Sequence, residues 1–213
     1  MSVDPAELDG YLDRVLIGPR EPGPVTLVEW DPAWPARYER ERARIRRALG
    51  GAARRIEHIG STSVRGLAAK PIIDILVTVA DVDDEAAFVA RLERAGYVLR
   101  VREPGHRMFR TPDAGVHVHV LDDSDEEAER YLVFRDRLRA SADDRSAYER
   151  LKRELAIRDW EEIGHYADAK GPLIETIIAR TRAAQLTCKP SGCRPSRRAL
   201  SGARGGITVV RRS

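Results

Sequence analysis

The segment that decides the fold runs from His58 to Val79 and reads HIGSTSVRGLAAKPIIDILVTV. Its second half is a run of β-forming residues that contains one acid, Asp74. An ionised carboxylate in a buried strand costs several kcal/mol unless it has a partner. We therefore expect Asp74 to face a cation, a metal ion or a water-filled cleft. A purely structural salt bridge to Lys70 or to an arginine is the alternative.

A Gly-Ser element lies just upstream of this strand. Glycine lets a backbone approach an anion closely, and exposed N–H groups and hydroxyls can surround a phosphate. Lys70 is held extended by the proline that follows it and is expected to bind the same phosphate or to pair with the acid. The predicted phosphate-binding residues of this segment are Gly60, Ser61, Thr62, Ser63 and Lys70.

The stretch VHVHV, residues 116–120, adds two imidazoles. A strand has a side-chain period of two, so His117 and His119 share one face while the valines occupy the other. Neutral imidazole binds Mn²⁺ or Zn²⁺ or acts as a base, but it is a poor ligand for Mg²⁺. The two histidines are therefore candidates for a site, with local hydrogen bonding as the alternative.

Composition favours a single domain with appendages. The chain has 213 residues, of which 42% are hydrophobic, and this is enough for a substantial core. We expect a cytoplasmic protein, because no apolar run is long enough to span a membrane and the acidic start lacks a signal peptide. Cys188 and Cys193 both lie near the C-terminus, which excludes a disulfide framework for the body.

The net charge of +3 comes from the C-terminal end. Seven Lys and Arg residues and no acid follow Leu186, so the remainder of the chain is negative overall. The end is rich in Gly, Ser, Pro and Arg, which is typical of disorder. We expect it to touch nucleic acid only weakly.

The order of predicted elements indicates an α/β (α+β) fold. Helical periodicity marks residues 34–49 and most of the chain after Glu126. Turn signals between the strands favour a mixed sheet with flanking helices, followed by a helical C-terminal half. The predicted division is a helical lead at 1–22, a folded domain at 23–185 and a basic disordered tail at 186–213. The predicted strands are 25–30, 54–59, 71–79, 97–102, 106–111 and 115–121.

Several motifs in this order resemble the GrpB family over about residues 25–182. They are VEWDPAWPARYERERARIRRAL, IEHIGSTSVRGLAAKPIIDILV, VHVHV, YLVFRDRLRA, YERLKRELA and YADAKGPLIETII. GrpB proteins are similar in fold to the nucleotidyltransferase superfamily, and some bacteria fuse such a domain to dephospho-CoA kinase. This chain contains no P-loop motif GxxxxGK[ST], so the kinase part is not in it.

The resemblance implies a role for each matching residue. Gly60 and Ser61 correspond to the phosphate-binding pair, and Asp74 corresponds to the first metal-binding acid. The superfamily places a second acid two residues further on, where this chain has Leu76, and two-metal chemistry needs several carboxylates. The third acid lies on a later strand, which implies that His117 or His119 stands near Asp74. Asp74 and His119 are the candidate catalytic residues, and Asp74, His117 and His119 are the candidate ligands for Mg²⁺, Mn²⁺ or Zn²⁺.

Basic residues of the helical half are further candidates. Arg135 and Arg139 lie four residues apart on one helix face and could clamp a phosphate, although a salt bridge between Arg135 and Asp136 is the alternative. His58 could orient the Gly-Ser loop. A further set matches the family motifs but is equally consistent with helix packing; it comprises Tyr148, Lys152, Tyr166 and Lys170.

Three functions remain open from the sequence. The first is an enzyme that binds a nucleotide or CoA-like phosphate ligand and transfers a nucleotidyl group with a divalent metal. The second is a ligand-binding or regulatory module on the same fold, which the missing second acid favours. The third, ranked last, is a nucleic-acid adaptor that acts through the basic tail. No membrane partner is expected.

Overall fold

A computed structural model describes residues 4–20, 24–160 and 163–187. Its centre is a five-stranded mixed sheet in the order β1-β2-β5-β4-β3. The central strands β2 and β5 are parallel, and every other neighbouring pair is antiparallel. The strands are β1 (Arg55–Ile59), β2 (Ile73–Val79), β3 (Val98–Glu103), β4 (His106–Arg110) and β5 (Val116–Asp122).

Seven α-helices are found among these residues, and four of them follow the sheet in the chain. The last two helices are separated by a single residue, Lys170. The helices are α1 (Pro5–Val15), α2 (Trp34–Leu49), α3 (Val89–Arg94), α4 (Glu126–Ala140), α5 (Ala142–Ala156), α6 (Ile163–Ala169) and α7 (Gly171–Thr187). None of the helices in the described part of the chain combines the length and the apolar character needed to cross a membrane.

The two faces of β2 have different partners because its side chains alternate. Ile73, Ile75 and Val77 belong to the main core, which also contains Ile45 of α2 and Leu92 of α3. The opposite face carries Asp74 and Leu76, and Leu76 packs in a smaller apolar cluster with Ala128 of α4. The helical half therefore covers the face that carries the acid.

The predicted fold class, a mixed sheet with flanking helices and a helical C-terminal half, is confirmed. The predicted strand at 25–30 is wrong. That segment forms a single bridge, Val28 to Ala69, while Val25 packs against Leu155 and Tyr166 of the helical half. The alternating apolar side chains of this segment pack against helices instead of joining the sheet. The three-part division of the chain stays a prediction, and its tail lies outside the described residues after Thr187.

Candidate functional site

Asp74 lies on the central strand β2, directly opposite His117 of β5 in the parallel register. The next pair along the same face joins Leu76 and His119. The Oδ1 atom of Asp74 is 3.5 Å from Nδ1 of His117 and 3.8 Å from Nε2 of His119. The parallel pairing of the two central strands thus brings together the acid and both imidazoles.

These three side chains form a compact donor set. One carboxylate oxygen and two ring nitrogens all lie within 4.8 Å of one another. Burial acts to raise the pKa of Asp74, but His117 and His119 together hold that pKa well below its usual range. The low pKa means that Asp74 is ionised, and its side chain is 28% exposed and reachable from the cavity. A carboxylate and two imidazoles are suitable donors for a divalent transition metal.

Gly60 places the Gly-Ser loop against Asp74. Its φ of 69° and ψ of 179° lie in a backbone region that is nearly exclusive to glycine. A Cβ atom at this position would overlap Oδ2 of Asp74 and lie 2.8 Å from the Cβ of the same residue. Glycine is therefore required here both by the backbone conformation and by the close approach of the carboxylate.

Replacement of Gly60 should consequently disturb both stability and the site. We expect Gly60→Ala to lower the free energy of unfolding by about 2–4 kcal/mol, because backbone strain of about 1–3 kcal/mol adds to the clash with Asp74. Chemical denaturation measures this loss. Gly66→Ala is the matched control, since Gly66 also has a positive φ, +79°, but no atom lies within 4 Å of the point that an added methyl group would occupy. Equal losses in the two variants would contradict the proposed clash.

The loop side chains divide between the cavity and the loop itself. Ser61 Oγ faces the cavity and accepts a hydrogen bond from Nζ of Lys152 at 3.1 Å. Thr62 Oγ1 donates to the Ile72 carbonyl and contacts Nε2 of His58 at 3.1 Å. Ser63 Oγ donates to the Gly60 carbonyl. The hydroxyls of Thr62 and Ser63 therefore stabilise the loop, and their role in phosphate binding stays a prediction.

His58 contributes from the other face of the sheet. Its ring stacks on Tyr38 of α2, with centroids 4.6 Å apart. Burial lowers the pKa of His58 to about 4, so the ring is neutral at physiological pH. Because Thr62 donates its hydroxyl proton to a carbonyl, the contacting nitrogen of His58 is the donor to Thr62 Oγ1. His58 thus orients the loop through this hydrogen bond.

Three lysines from separate elements converge on the cavity beside this loop. Lys152 of α5 is 2% exposed and also donates to the Ala68 carbonyl. Lys70 and Lys170 lie 5.5 Å and 4.6 Å from the ring centroid of Tyr166. Three cations grouped around one cavity are electrostatically suited to an anionic ligand.

Burial lowers the pKa values of these lysines because it disfavours the charged amine. It lowers the pKa of Lys152 to about 7. Burial, together with Lys70 and Lys152, lowers the pKa of Lys170 to about 7. Burial also lowers the pKa of Lys70, against the opposing effect of Asp74. A bound phosphate would reverse part of these shifts because it favours the charged amines.

Arg135 and Arg139 have structural partners instead of a shared anion-binding face. Arg135 donates to Glu57, to the His58 carbonyl and to Asp136. Arg139 donates to the Ser63 carbonyl at 3.0 Å and to Asp136. Both guanidinium groups thus join α4 to β1 and to the Gly-Ser loop. The alternative salt bridge between Arg135 and Asp136 is present, and the phosphate clamp stays a prediction.

One cavity of about 290 Å³ lies between the sheet and the helical half. Its lining includes the metal-donor set, Ser61 and the three lysines, together with apolar side chains from α1. At about 30 Å³ per molecule the volume is sufficient for roughly ten waters, and therefore for a small organic ligand. The alternative of an Asp74 carboxylate that is sealed off in a structural salt bridge is not observed.

Two buried residues of this site were missed in the sequence. Glu103 and His106 flank the turn Pro104–Gly105, and they are 7% and 4% exposed. The Pro-Gly pair is typical of a two-residue hairpin turn. Such a turn places Glu103 and His106 opposite each other at the ends of β3 and β4. Their approach to His119 depends on the β4–β5 register, where Met108 is opposite His119. The turn residues TPDAG do not specify that register.

Comparisons with known proteins agree with this fold. The GrpB protein family model matches residues 24–180. The UPF0157 protein BH1888 of Halalkalibacterium halodurans is 47% identical over 180 residues, which covers 82% of this chain and 92% of the relative. The crystal structure of the conserved protein GrpB from Enterococcus faecalis has a TM-score of 0.67 and 33% identity, covering 76% of this chain and 99% of that one.

The fold is an α/β fold with a mixed five-stranded sheet, and the GrpB crystal structure shares it. The chain belongs to the GrpB family, as its motifs predict. A dephospho-CoA kinase of Mycolicibacterium paratuberculosis is 32% identical over 186 residues, which cover 74% of this chain and 46% of that protein. Structural neighbours with lower identity include the GLD-2/RNP-8 complex, at 13% identity and a TM-score of 0.45, with 87% of this chain and 66% of that one covered.

Proposed function

We propose that this chain binds a nucleotide or CoA-like phosphate ligand with the help of a divalent cation and transfers a nucleotidyl group from it. The observation that supports this most strongly is the shared cavity. Asp74, His117 and His119 face it from the sheet, while Ser61 and Lys152 face it from the loop and from α5. Metal donors and phosphate donors thus adjoin the same space.

The donor set fits a single cation. Asp74, His117 and His119 would hold it, and when bound it would supply Lewis-acid stabilisation of phosphoryl charge. Lys152, Lys170 and the Ser61 hydroxyl would position the remaining phosphate oxygens. Their electrostatic contribution is large because the cavity is partly closed to water.

A binding module without turnover is the second candidate, and one observation favours it. Leu76 occupies the position of the second acid, and its side chain is buried with Ile59, Leu121 and Ala128. No carboxylate can enter there without disrupting that cluster. The two candidates differ in one measurable respect, since only the transferase releases pyrophosphate from ATP in a metal-dependent manner.

Thermal unfolding with ATP, CoA or dephospho-CoA, each with and without Mn²⁺ or Zn²⁺, tests the proposal. We expect a ligand at about one hundred times its Kd to stabilise the fold by about 2.7 kcal/mol. Asp74→Asn removes the carboxylate, so it should abolish the part of this stabilisation that depends on the cation.

The control is Asp143→Asn, which changes an exposed acid in the first turn of α5. It should respond to ligands as the unchanged chain does. If none of the three ligands stabilises the protein at millimolar concentration with either cation, the proposed function is wrong.

A further inference from the structure

His106 and Glu103 lie on the side of the His119 ring that is opposite Asp74. His106 contacts Nδ1 of His119, whereas Asp74 faces Nε2. Nδ1 of His106 is 2.5 Å from Oε1 of Glu103, and Nε2 of His106 is 3.1 Å from Nδ1 of His119. The two imidazole planes are within 7° of parallel. The four side chains therefore form a continuous series that runs from the buried Glu103, through His106 and His119, to the partly exposed Asp74.

This series holds the ring of His119 in one orientation. A carboxylate only accepts hydrogen bonds, so Glu103 requires the Nδ1–H of His106. The opposite ring nitrogen of His106, Nε2, is the hydrogen-bond partner of Nδ1 of His119. The Nε2 atom of His119 is thereby directed toward Asp74.

Ligand atoms about 2.1 Å from a tetrahedral metal lie about 3.4 Å apart. The distances from Asp74 Oδ1 to the nitrogens of His117 and His119, 3.5 Å and 3.8 Å, are close to that value. The two imidazole donors lie within 4.8 Å of each other. The three donors are therefore close enough together to bind one small cation.

We propose that Glu103 and His106 are positioning residues that hold His119 ready to bind metal. The resulting site, with two imidazoles and one carboxylate, selects a late first-row transition metal ion of the Zn²⁺ class over Mg²⁺. This inference rests on the proposed function, because it names the cation of the same site. Buried partners of metal-binding histidines typically change metal affinity by 10–100-fold, and imidazole donors suit Zn²⁺ where Mg²⁺ prefers oxygen.

Direct titration with the metal alone tests the proposal. The full chain is freed of metal with a chelator and carries Cys188→Ser and Cys193→Ser, so that neither thiol competes. We expect one Zn²⁺ per chain, bound at least about 100-fold more tightly than Mg²⁺. Co²⁺ at the same site should give the visible absorption of a four-coordinate ion.

Substitutions behind His119 separate positioning from simple packing. His106→Phe keeps a buried ring but removes both nitrogens, and Glu103→Leu removes the acceptor. Each should weaken Zn²⁺ binding by about 10–100-fold and alter the Co²⁺ spectrum. Glu103→Gln keeps an acceptor for His106 and should restore most of the affinity even if the other two variants fold poorly. His165→Gln is the control, because His165 pairs with Asp9 instead of with the metal donors.

The possible outcomes distinguish this inference from the proposed function. If Mg²⁺ binds as tightly as Zn²⁺, or His106→Phe binds Zn²⁺ normally, the inference is overturned, and ligand binding with Mg²⁺ would leave the proposed function intact. If Zn²⁺ binds as expected but no phosphate ligand does, the proposed function is wrong and the metal site stands.

Discussion

Lys170→Met should yield a protein that is more stable at pH 7 and binds phosphate ligands much less well. Lys170 is a desolvated cation close to Lys70 and Lys152, and these three effects lower its pKa to about 7. The substitution removes the cost of burying a charged amine and its repulsion with the other two lysines. We therefore expect the free energy of unfolding to rise by about 1–3 kcal/mol. A bond from a charged amine to phosphate contributes about 1.5–3 kcal/mol, so ligand affinity should fall by about 10–100-fold.

Denaturant unfolding and calorimetric titration with ATP measure the two changes. Arg150→Met is the control, because it removes an exposed cation from α5 and should change neither quantity appreciably. A less stable Lys170→Met protein with unchanged ATP affinity would show that Lys170 serves the packing of α6 and α7 instead of the ligand. Stability and function are expected to oppose each other at this position, as at many binding sites.

The stability of the ligand-free protein should increase as the pH rises from about 7 to about 10.5. Lys152 and Lys170 have pKa values of about 7 in the folded state and a usual value of 10.5. Between these limits the unfolded chain binds more protons, so rising pH favours the folded state by up to about 1.4 kcal/mol per pH unit for each lysine. Below pH 7 both states are protonated, and these lysines contribute no slope.

Ligand affinity should change in the opposite direction over the same range. A phosphate prefers the charged amines, so binding is tightest near and below pH 7 and weakens by up to about tenfold per pH unit for each lysine above it. Unfolding and ATP binding measured from pH 6 to 9.5 give both trends. The double variant Lys152→Met with Lys170→Met should be nearly flat in each. A flat profile in the unchanged chain would contradict the low pKa values.

Local sequence patterns were sufficient for most of the architecture. The run around Asp74 predicted β2, and the alternation of residues 116–120 predicted that His117 and His119 share a face. Both follow from the two-residue period of a strand, which depends only on neighbouring residues. The same reasoning failed at residues 25–30, where an apolar alternation packs on helices instead of joining the sheet.

The roles of the basic residues depended on long-range contacts. Arg135 and Arg139 lie four apart on a helix, which suggested a clamp, but their partners are supplied by β1 and by the loop after it. Lys152 and Lys170 had two equally good interpretations in the sequence. Their exposure to the cavity is decided by how α5, α6 and α7 pack across the sheet.

The sequence by itself determined the mixed sheet, the Gly-Ser loop before a strand with one acid, and the GrpB family. Only the tertiary structure decided that Asp74 meets two imidazoles, that His106 and Glu103 stand behind one of them, and that three lysines share the same cavity. The physical reason is that propensity and periodicity are local, whereas strand register and helix packing join residues far apart in the chain.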